Sequence, residues 1–93
     1  MTGKQRRHLR ALGHHLNPVV QVGHEGVSDA LVKQTFEQLE AHELIKVKIG
    51  EGDRHQAAEL LAGKTGSEVA QVLGRTVLLY KRRKEKPEIE LPK

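Results

Sequence analysis

A chain of 93 residues with 16 lysine or arginine residues, 12 acidic residues and no cysteine is long enough for one small domain with a modest core. The absence of cysteine excludes a disulfide framework, a thiol nucleophile and a zinc–cysteine site, and it fits a reducing compartment. No apolar run approaches the length of a transmembrane helix, and no signal-peptide pattern follows the N-terminus. We therefore expect one soluble, cytoplasmic domain.

The net charge of +4 is unevenly distributed along the chain. Residues 1–24 contain four lysine or arginine residues and four histidines but no acid, and residues 81–86 contain five lysine or arginine residues and one acid. Residues 11–80 have a charge balance of −3. Charged termini of this kind either keep a protein soluble or attract a polyanion, most often nucleic acid. Two separate clusters favour the second interpretation.

The first predicted element is a helix over residues 4–15, in which Leu9, Leu12 and Leu16 share one face and basic residues occupy the others. Pro18 ends this segment because it disfavours helical geometry at Asn17. Residues 19–22 are β-branched apart from one glutamine and predict a short strand.

A Gly-x-x-Gly turn at residues 23–26 follows this strand and precedes a second predicted helix. Ser28 is a suitable N-cap for that helix, and Val27 is placed to pack beside it. Such a turn can bring backbone N–H groups against a phosphate, since glycine lacks a Cβ and the first amides of a helix have no internal partners. The spacing of two glycines is weak evidence by itself.

The second helix is predicted to end near His42. Its apolar stripe is expected to consist of Leu31, Val32, Phe36 and Leu39, and its outward residues to include Glu37, Glu40 and Glu43.

Residues 44–49 alternate between apolar and basic and give the clearest strand prediction, with Lys46 and Lys48 on one face. Asp53 is suited to cap a third helix that runs to about Ala62 and is stopped by residues 63–66. Strands are expected at 69–73 and 76–80, joined by a two-residue turn. We predict a domain at 1–84 and a loose, charged C-terminal tail at 85–93.

The resulting order is α-β-α-β-α-β-β. Alternating strands and helices predict a layered α/β domain with parallel crossovers, closed by an antiparallel hairpin.

Catalytic and metal-binding patterns have little support. Ser28 and Ser67 are the only serines and suit caps or turns, and nothing in the spacing converges on the adjacent pair His24 and Glu25. The six histidines show no ligand spacing on one helix. The Gly-Lys-Thr run at 63–65 follows a helix rather than opening one, so it is not a phosphate loop. We expect no enzyme activity, metal, cofactor, small-molecule substrate or membrane contact.

Nucleic-acid binding remains, and the aromatic content narrows its form. Phe36 and Tyr80 are the only aromatic residues, so a sheet that stacks bases on exposed aromatic rings is disfavoured. Recognition of the backbone needs cations and amide donors instead, with glycine at the closest approach.

Five segments together resemble one known family. They are KQRRHLR (4–10), NPVV (17–20), VGHEGVS (22–28), HELIKVKI (42–49) and QVLGRTVLLYK (71–81). In this order they are similar to the CRM domain (chloroplast RNA splicing and ribosome maturation), in particular its small stand-alone bacterial members of the YhbY type. The segments at 42–49 and 71–81 are much more specific than the glycine turn.

The resemblance implies an RNA-binding domain with three helices and a four-stranded mixed sheet, similar to the C-terminal domain of bacterial translation initiation factor three. It also implies association with precursors of the large ribosomal subunit, and it places the Gly-x-x-Gly loop against RNA. Relatives often have basic or polar residues at the two central positions, which here are His24 and Glu25. Because Glu25 would repel phosphate, we expect this loop to act through its backbone.

We therefore predict a monomeric RNA-binding protein, with ribosomal RNA as partner. The candidate RNA-binding residues are Lys4, Arg7, Arg10, Gly23, His24, Gly26, Lys46, Lys48, Arg75, Lys81, Arg82 and Arg83. Lys46 and Lys48 could extend a basic surface, although paired lysines on a half-exposed strand usually serve only solubility, and the role of Arg75 is equally ambiguous. The alternative functions are a protein-interaction module that docks a ribosomal or assembly protein through the acidic second helix, and nonspecific DNA binding.

Overall fold

A computed structural model describes all 93 residues and contains seven elements in the predicted order. The helices are α1 (Gly3–Gly13), α2 (Asp29–His42) and α3 (Arg54–Thr65). The strands are β1 (Pro18–Val22), β2 (Leu44–Ile49), β3 (Glu68–Leu73) and β4 (Thr76–Tyr80). No helix has the length and apolar character needed to cross a bilayer.

The four strands form one mixed sheet in the order β1-β2-β4-β3. β1 runs parallel to β2, whereas β4 is antiparallel to both of its neighbours. Residues 74 and 75 form the predicted hairpin turn, with Gly74 at φ +57. The predicted α/β fold with three helices and a four-stranded mixed sheet is confirmed.

The larger core lies between the sheet and the helices α2 and α3. Alternate residues of β2 point into it because successive side chains of a strand face opposite ways. Its buried members are Val20, Val22, Leu39, Ile45, Val47, Ile49, Ala57, Ala58, Leu61, Val77 and Leu79. This layer covers the whole length of β2 on that face.

The smaller core lies on the other face of the sheet, beneath α1. Leu9 is fully buried there and packs with Leu44, Ala70, Leu78 and Tyr80. Helix α1 approaches β4 so closely that a Cβ on Gly13 would lie 2.6 Å from a methyl carbon of Leu78. The molecule therefore has three layers, and α1 is the only helix on its face of the sheet.

The predicted end of the first helix is wrong by two residues. Helix α1 ends at Gly13, and the chain then turns with Leu16 N–H donating to the Gly13 carbonyl. Only Leu9 of the predicted apolar face is buried, while Leu12, inside the helix, and Leu16, beyond it, are 44% and 37% exposed.

The placement of Phe36 on a core stripe is also wrong. Leu39 is buried and both Leu31 and Val32 pack against the larger core, but Phe36 is 40% exposed. Its ring lies beneath Lys81, whose Nζ is 5.3 Å from the ring centroid. Thr35, the residue before Phe36, is buried instead and donates its hydroxyl hydrogen to the Leu31 carbonyl.

Caps predicted from the sequence define the other helices well. Ser28 accepts a hydrogen bond from Leu31 N–H, and Asp53 accepts one from Gln56 N–H. Helix α3 nevertheless continues to Thr65, three residues beyond the predicted end at Ala62. Gly66 caps it with a left-handed φ of +74. Strand β3 begins one residue earlier than predicted, at Glu68.

Glu43 is fully buried, contrary to the prediction that it points outward. Its carboxylate accepts hydrogen bonds from the backbone N–H groups of Arg83, Glu88 and Ile89, at 2.9, 2.6 and 2.9 Å. Its own carbonyl accepts one from Lys81 N–H. A single carboxylate thus joins the end of α2 to the last segment of the chain.

The prediction of a loose C-terminal tail is therefore wrong. Ile89 and Leu91 pack against the smaller core, and the Pro92 carbonyl accepts a hydrogen bond from Gln5 Nε2 in α1. The tail closes over the same side of the sheet that α1 covers. The proposed domain boundary at residue 84 stays a prediction.

Burial alone would raise the pKa of Glu43, but the three backbone donors and the Arg83 guanidinium outweigh it and lower the pKa below 4.5. We predict that Glu43→Gln lowers the free energy of unfolding by about 2 kcal/mol, since a neutral amide cannot replace the charge-assisted bonds. Urea denaturation at pH 7 measures the change. Glu40→Gln, at an exposed position one turn earlier, is the matched control and should change it by less than about 0.5 kcal/mol.

The lowered pKa also sets the sign of the pH dependence. The stabilisation from Glu43 is fully present above the pKa of the unfolded chain and is lost as the pH falls through the folded pKa. The gap between wild type and Glu43→Gln should therefore narrow in acid. A gap that stays constant from pH 7 down to pH 3 would contradict the assigned role of the carboxylate.

Candidate nucleic-acid interface

The Gly-x-x-Gly loop is an exposed turn between β1 and α2. Gly26 N–H donates to the Gly23 carbonyl at 3.0 Å, and Gly26 has a left-handed φ of +69. A Cβ added to either glycine would meet no atom within 4 Å. The loop therefore needs glycine at position 26 for its conformation, and its backbone is open to a large ligand.

Neighbouring loops hold this turn in place. Gly50 N–H donates to the Val22 carbonyl at 2.8 Å, which ties the end of β1 to the end of β2. Arg75, at the hairpin turn, donates to the carbonyls of Ile49 and Gly52, both at 2.7 Å. The structure thus uses the predicted RNA-binding residue Arg75 as a brace for the loop that supports the Gly-x-x-Gly turn.

The surroundings of the turn are acidic on the side of α3. A cleft of about 500 Å³ lies there and is lined by Gly26 together with Glu51, Asp53 and Glu59. His24 points its Nδ1 at Glu51, 3.2 Å from Oε2. The backbone N–H of Gln56 lowers the pKa of Asp53, which keeps that carboxyl charged. Because like charges repel, this cleft disfavours a phosphate backbone.

A second groove, of about 370 Å³, lies on the other face of the sheet between α1 and strands β3 and β4. Arg10 of α1 and His14, the C-cap residue of that helix, line one wall, and Lys46 of β2 lies on the sheet side. Gln71 and Thr76 complete its polar lining. No acidic residue lines it. The fold therefore brings together Arg10 and Lys46, two predicted site residues separated by 36 positions in the chain.

The uncovered part of the sheet continues this basic surface toward the glycine turn. Lys48 lies two residues beyond Lys46 on the same face of β2 and is exposed. Its partner in β1 is Gln21, two residues before Gly23. Helix α1 reaches only the first part of β2, so Lys48 has no helix above it. We call the surface formed by Arg10, His14, Lys46 and Lys48 the basic groove.

The exposed side of α1 extends the basic groove toward the N-terminus. Arg7, Arg10 and His14 are spaced three and four residues apart and therefore share one side of the helix. Lys4 precedes Arg7 by three residues and is also exposed. No residue of α1 is acidic.

The C-terminal basic cluster does not form one surface. Lys81 lies over Phe36 in the layer of α2 and α3, whereas Arg82 lines a groove with Gln5 and the tail. Arg83 donates to the carbonyls of Ala41 and Lys86 and pairs with Glu88 at 3.1 Å. The predicted RNA-binding residue Arg83 is thus occupied by contacts within the chain.

Comparison with known proteins agrees with this architecture. The family model of the CRS1/YhbY (CRM) domain matches residues 1–81. The chain belongs to the CRM domain family. It is 48% identical to YqeI of Bacillus subtilis, named a probable RNA-binding protein, over 99% of both chains. It is 34% identical to an RNA-binding protein of Haemophilus influenzae, over 100% of this chain and 96% of that protein.

A solved structure of the same kind exists for Staphylococcus aureus. The solution structure of the hypothetical protein SAV1595, described as a candidate RNA-binding protein, superimposes with a TM-score of 0.85 at 42% identity and covers 99% of both chains. These relatives are named for RNA binding and not for a catalysed reaction. Their names agree with the prediction of a non-catalytic RNA-binding protein.

Two features of this CRM domain were missed by sequence reasoning. His14, the C-cap residue of α1, lies in the basic groove with Arg10 and Lys46, although it is not among the candidate RNA-binding residues predicted from the sequence. The acidity of the cleft beside the glycine turn was missed because Glu51, Asp53 and Glu59 come from the loop before α3 and from α3 itself.

The two glycines of the turn should respond differently to alanine. Gly26→Ala should lower the free energy of unfolding by about 1 kcal/mol, because an L-residue is strained at a left-handed φ. Gly23→Ala is the matched control and should cost nothing, since that residue has an ordinary φ and open space around it. Equal losses in urea denaturation would contradict the assigned geometry.

Proposed function

We propose that this CRM domain binds structured RNA through the basic groove, and that the RNA is ribosomal RNA in precursors of the large ribosomal subunit. The observation that supports this most strongly is the meeting of Arg10, His14 and Lys46 in a groove without acidic lining. Relatives named as RNA-binding proteins support the ligand class. The ribosomal target rests on the resemblance of the chain to stand-alone bacterial CRM proteins.

In this proposal the RNA backbone passes over the α1 side of the sheet. Lys48 and the exposed backbone of residues 23–25 contact it at one end, and Arg7 and Lys4 contact it at the other. The acidic cleft beside α3 keeps phosphates away from the opposite side of the turn. The Gly-x-x-Gly turn then positions the RNA, while the cations of α1 and β2 supply most of the attraction.

Removing two charges from the basic groove should weaken RNA binding and its salt dependence. For Arg10→Gln with Lys46→Gln we expect the slope of log affinity against log salt to fall by about 1.4 on single strands and about 1.8 on duplex, if both residues contact phosphate. The matched control is Lys33→Gln with Lys64→Gln, which removes two exposed charges from α2 and α3. Fluorescence anisotropy with a labelled RNA hairpin at several salt concentrations measures both effects.

The control pair should lower affinity only slightly and leave the slope nearly unchanged. If both pairs reduce the slope equally, binding is a property of net charge and the proposal for the basic groove is wrong. Equal affinity for the hairpin and for duplex DNA at matched salt would instead favour nonspecific nucleic-acid binding.

The ribosomal target needs a separate experiment in cells. Crosslinking followed by sequencing of the attached RNA should recover ribosomal RNA of the large subunit above its abundance in a control with the Arg10 and Lys46 double variant. Recovery of other RNAs with no ribosomal enrichment would leave RNA binding intact and refute the ribosomal target.

One observation favours a second function, the docking of an assembly protein through α2. Phe36 is exposed on this helix beside Glu37, with Glu40 one turn later. Its ring also contacts Lys81, but the two acids would still attract a basic partner. Sedimentation of a cell lysate with and without ribonuclease separates the two functions. Loss of ribosomal co-migration after digestion supports RNA binding, and a surviving protein complex supports docking through α2.

A further inference from the structure

We propose that an apolar pocket beside the basic groove accepts one unstacked base of the bound RNA. The pocket has a volume of about 410 Å³ and lies on the other flank of α1, toward the edge strand β1. Leu12, Leu16 and Val19 line it and are exposed to solvent. This inference rests on the proposed RNA-binding function and extends it from the backbone to the bases.

The exposed apolar residues of this protein are concentrated at this pocket. Six large hydrophobic side chains are exposed in the whole molecule, and three of them line it. Exposure of apolar side chains to water is unfavourable. Where such side chains are exposed together at one place on a small protein, they mark a binding surface. None of these three side chains is a buried member of either core.

The backbone of β1 is irregular at the same place. Pro18 pairs with Lys46 and Val20 pairs with Val47, so Val19 has no partner in the register. An extra residue of this kind turns a side chain out of the regular pleat and is common at sheet edges near functional sites. Here it presents Val19, 41% exposed, to the pocket.

Lys46 lines both the apolar pocket and the basic groove. A phosphate held by Lys46 would therefore have its own base, or the next one, within reach of the pocket. Charge complementarity favours RNA over an acidic or neutral peptide, because Lys46 and His42 also line the pocket. Its one acidic residue, Glu88, is paired with Arg83 at 3.1 Å.

The chemistry of the lining suits a base without aromatic stacking. Leucine and valine side chains can pack on both faces of a flat heterocycle, and Asn17 offers an amide with both donors and an acceptor for its edge. Pro18 disfavours helical geometry at Asn17 and so keeps it at the start of β1. Sequence-specific RNA recognition generally targets unpaired bases whose edges are free.

The test compares Leu12→Ser with Leu60→Ser in the intact chain. Both leucines are 44% exposed on a helix, but Leu60 lies at the acidic cleft beside α3. The probes are an RNA hairpin with a single unpaired 2-aminopurine in its loop and a fully paired RNA duplex of equal length. Stacking quenches 2-aminopurine, so transfer of this base into an aliphatic pocket should raise its fluorescence.

With wild type we expect the fluorescence to rise on binding. Leu12→Ser should abolish the rise and weaken hairpin binding about tenfold, while leaving duplex affinity and the salt slope unchanged. Leu60→Ser should behave as wild type. Leu16→Ser, outside the helix and also lining the pocket, should repeat the result of Leu12→Ser and so excludes a folding defect of α1.

Three outcomes would overturn the inference. If both pocket variants match Leu60→Ser while the Arg10 and Lys46 double variant still loses affinity, the basic groove binds RNA but the pocket takes no base. If Leu12→Ser weakens duplex and hairpin equally, the pocket is not selective for an unpaired base. If wild type binds neither RNA, the proposed function itself fails and the inference fails with it.

Discussion

The pairing of β2 with a strand on each side is the constraint on which the rest of this molecule depends. Both edges of β2 are paired, with β1 on one side and β4 on the other. Its side chains can therefore point only to the two faces of the sheet. One face presents Ile45, Val47 and Ile49 to α2 and α3, and the other presents Leu44, Lys46 and Lys48. Helix α1 covers Leu44 and stops short of Lys48. The alternation of this strand thus determines which half of the sheet is a core and which half is available to a polyanion.

The buried carboxylate of Glu43 adds a second constraint at the start of the same strand. Glu43 has a positive φ of 61 at the end of α2 and collects three backbone donors from the C-terminal segment. This arrangement pulls Arg83 onto the end of α2 and brings Ile89 to the rim of the apolar pocket. The C-terminal cations are therefore distributed by the needs of folding, and the proposed binding surface uses the cations of α1 and β2.

Local patterns in the sequence predict most of the fold. The limits of β2 and β4 follow from alternating or continuous apolar residues between turn signals, and the caps of α2 and α3 follow from Ser28 and Asp53. The errors at Leu16, Phe36 and Glu43 share one physical cause. Each depends on which tertiary neighbour covers a side chain, and a helical stripe in the sequence does not contain that information.

The sequence predicts the composition of the basic groove but not its arrangement. Sequence alone indicates that Arg10 and Lys46 are basic and lie away from the apolar face of their elements, and the family resemblance indicates RNA. Their meeting in one groove depends on α1 packing across β2 and β4. Gly13 permits this close packing because it has no Cβ, which would lie against the Leu78 side chain. The bracing role of Arg75 and the acidic cleft beside the glycine turn likewise arise only when loops from distant parts of the chain meet.

In the proposed complex, RNA lies on the α1 side of the sheet and not in the cleft beside α3. Titration of the ¹⁵N-labelled protein with an RNA hairpin, followed by backbone amide chemical shifts, tests this most directly. We expect the largest shifts in residues 7–14, 21–26 and 46–48, with α3 nearly unchanged. Dominant shifts at residues 51–60, with α1 and β2 unaffected, would contradict it.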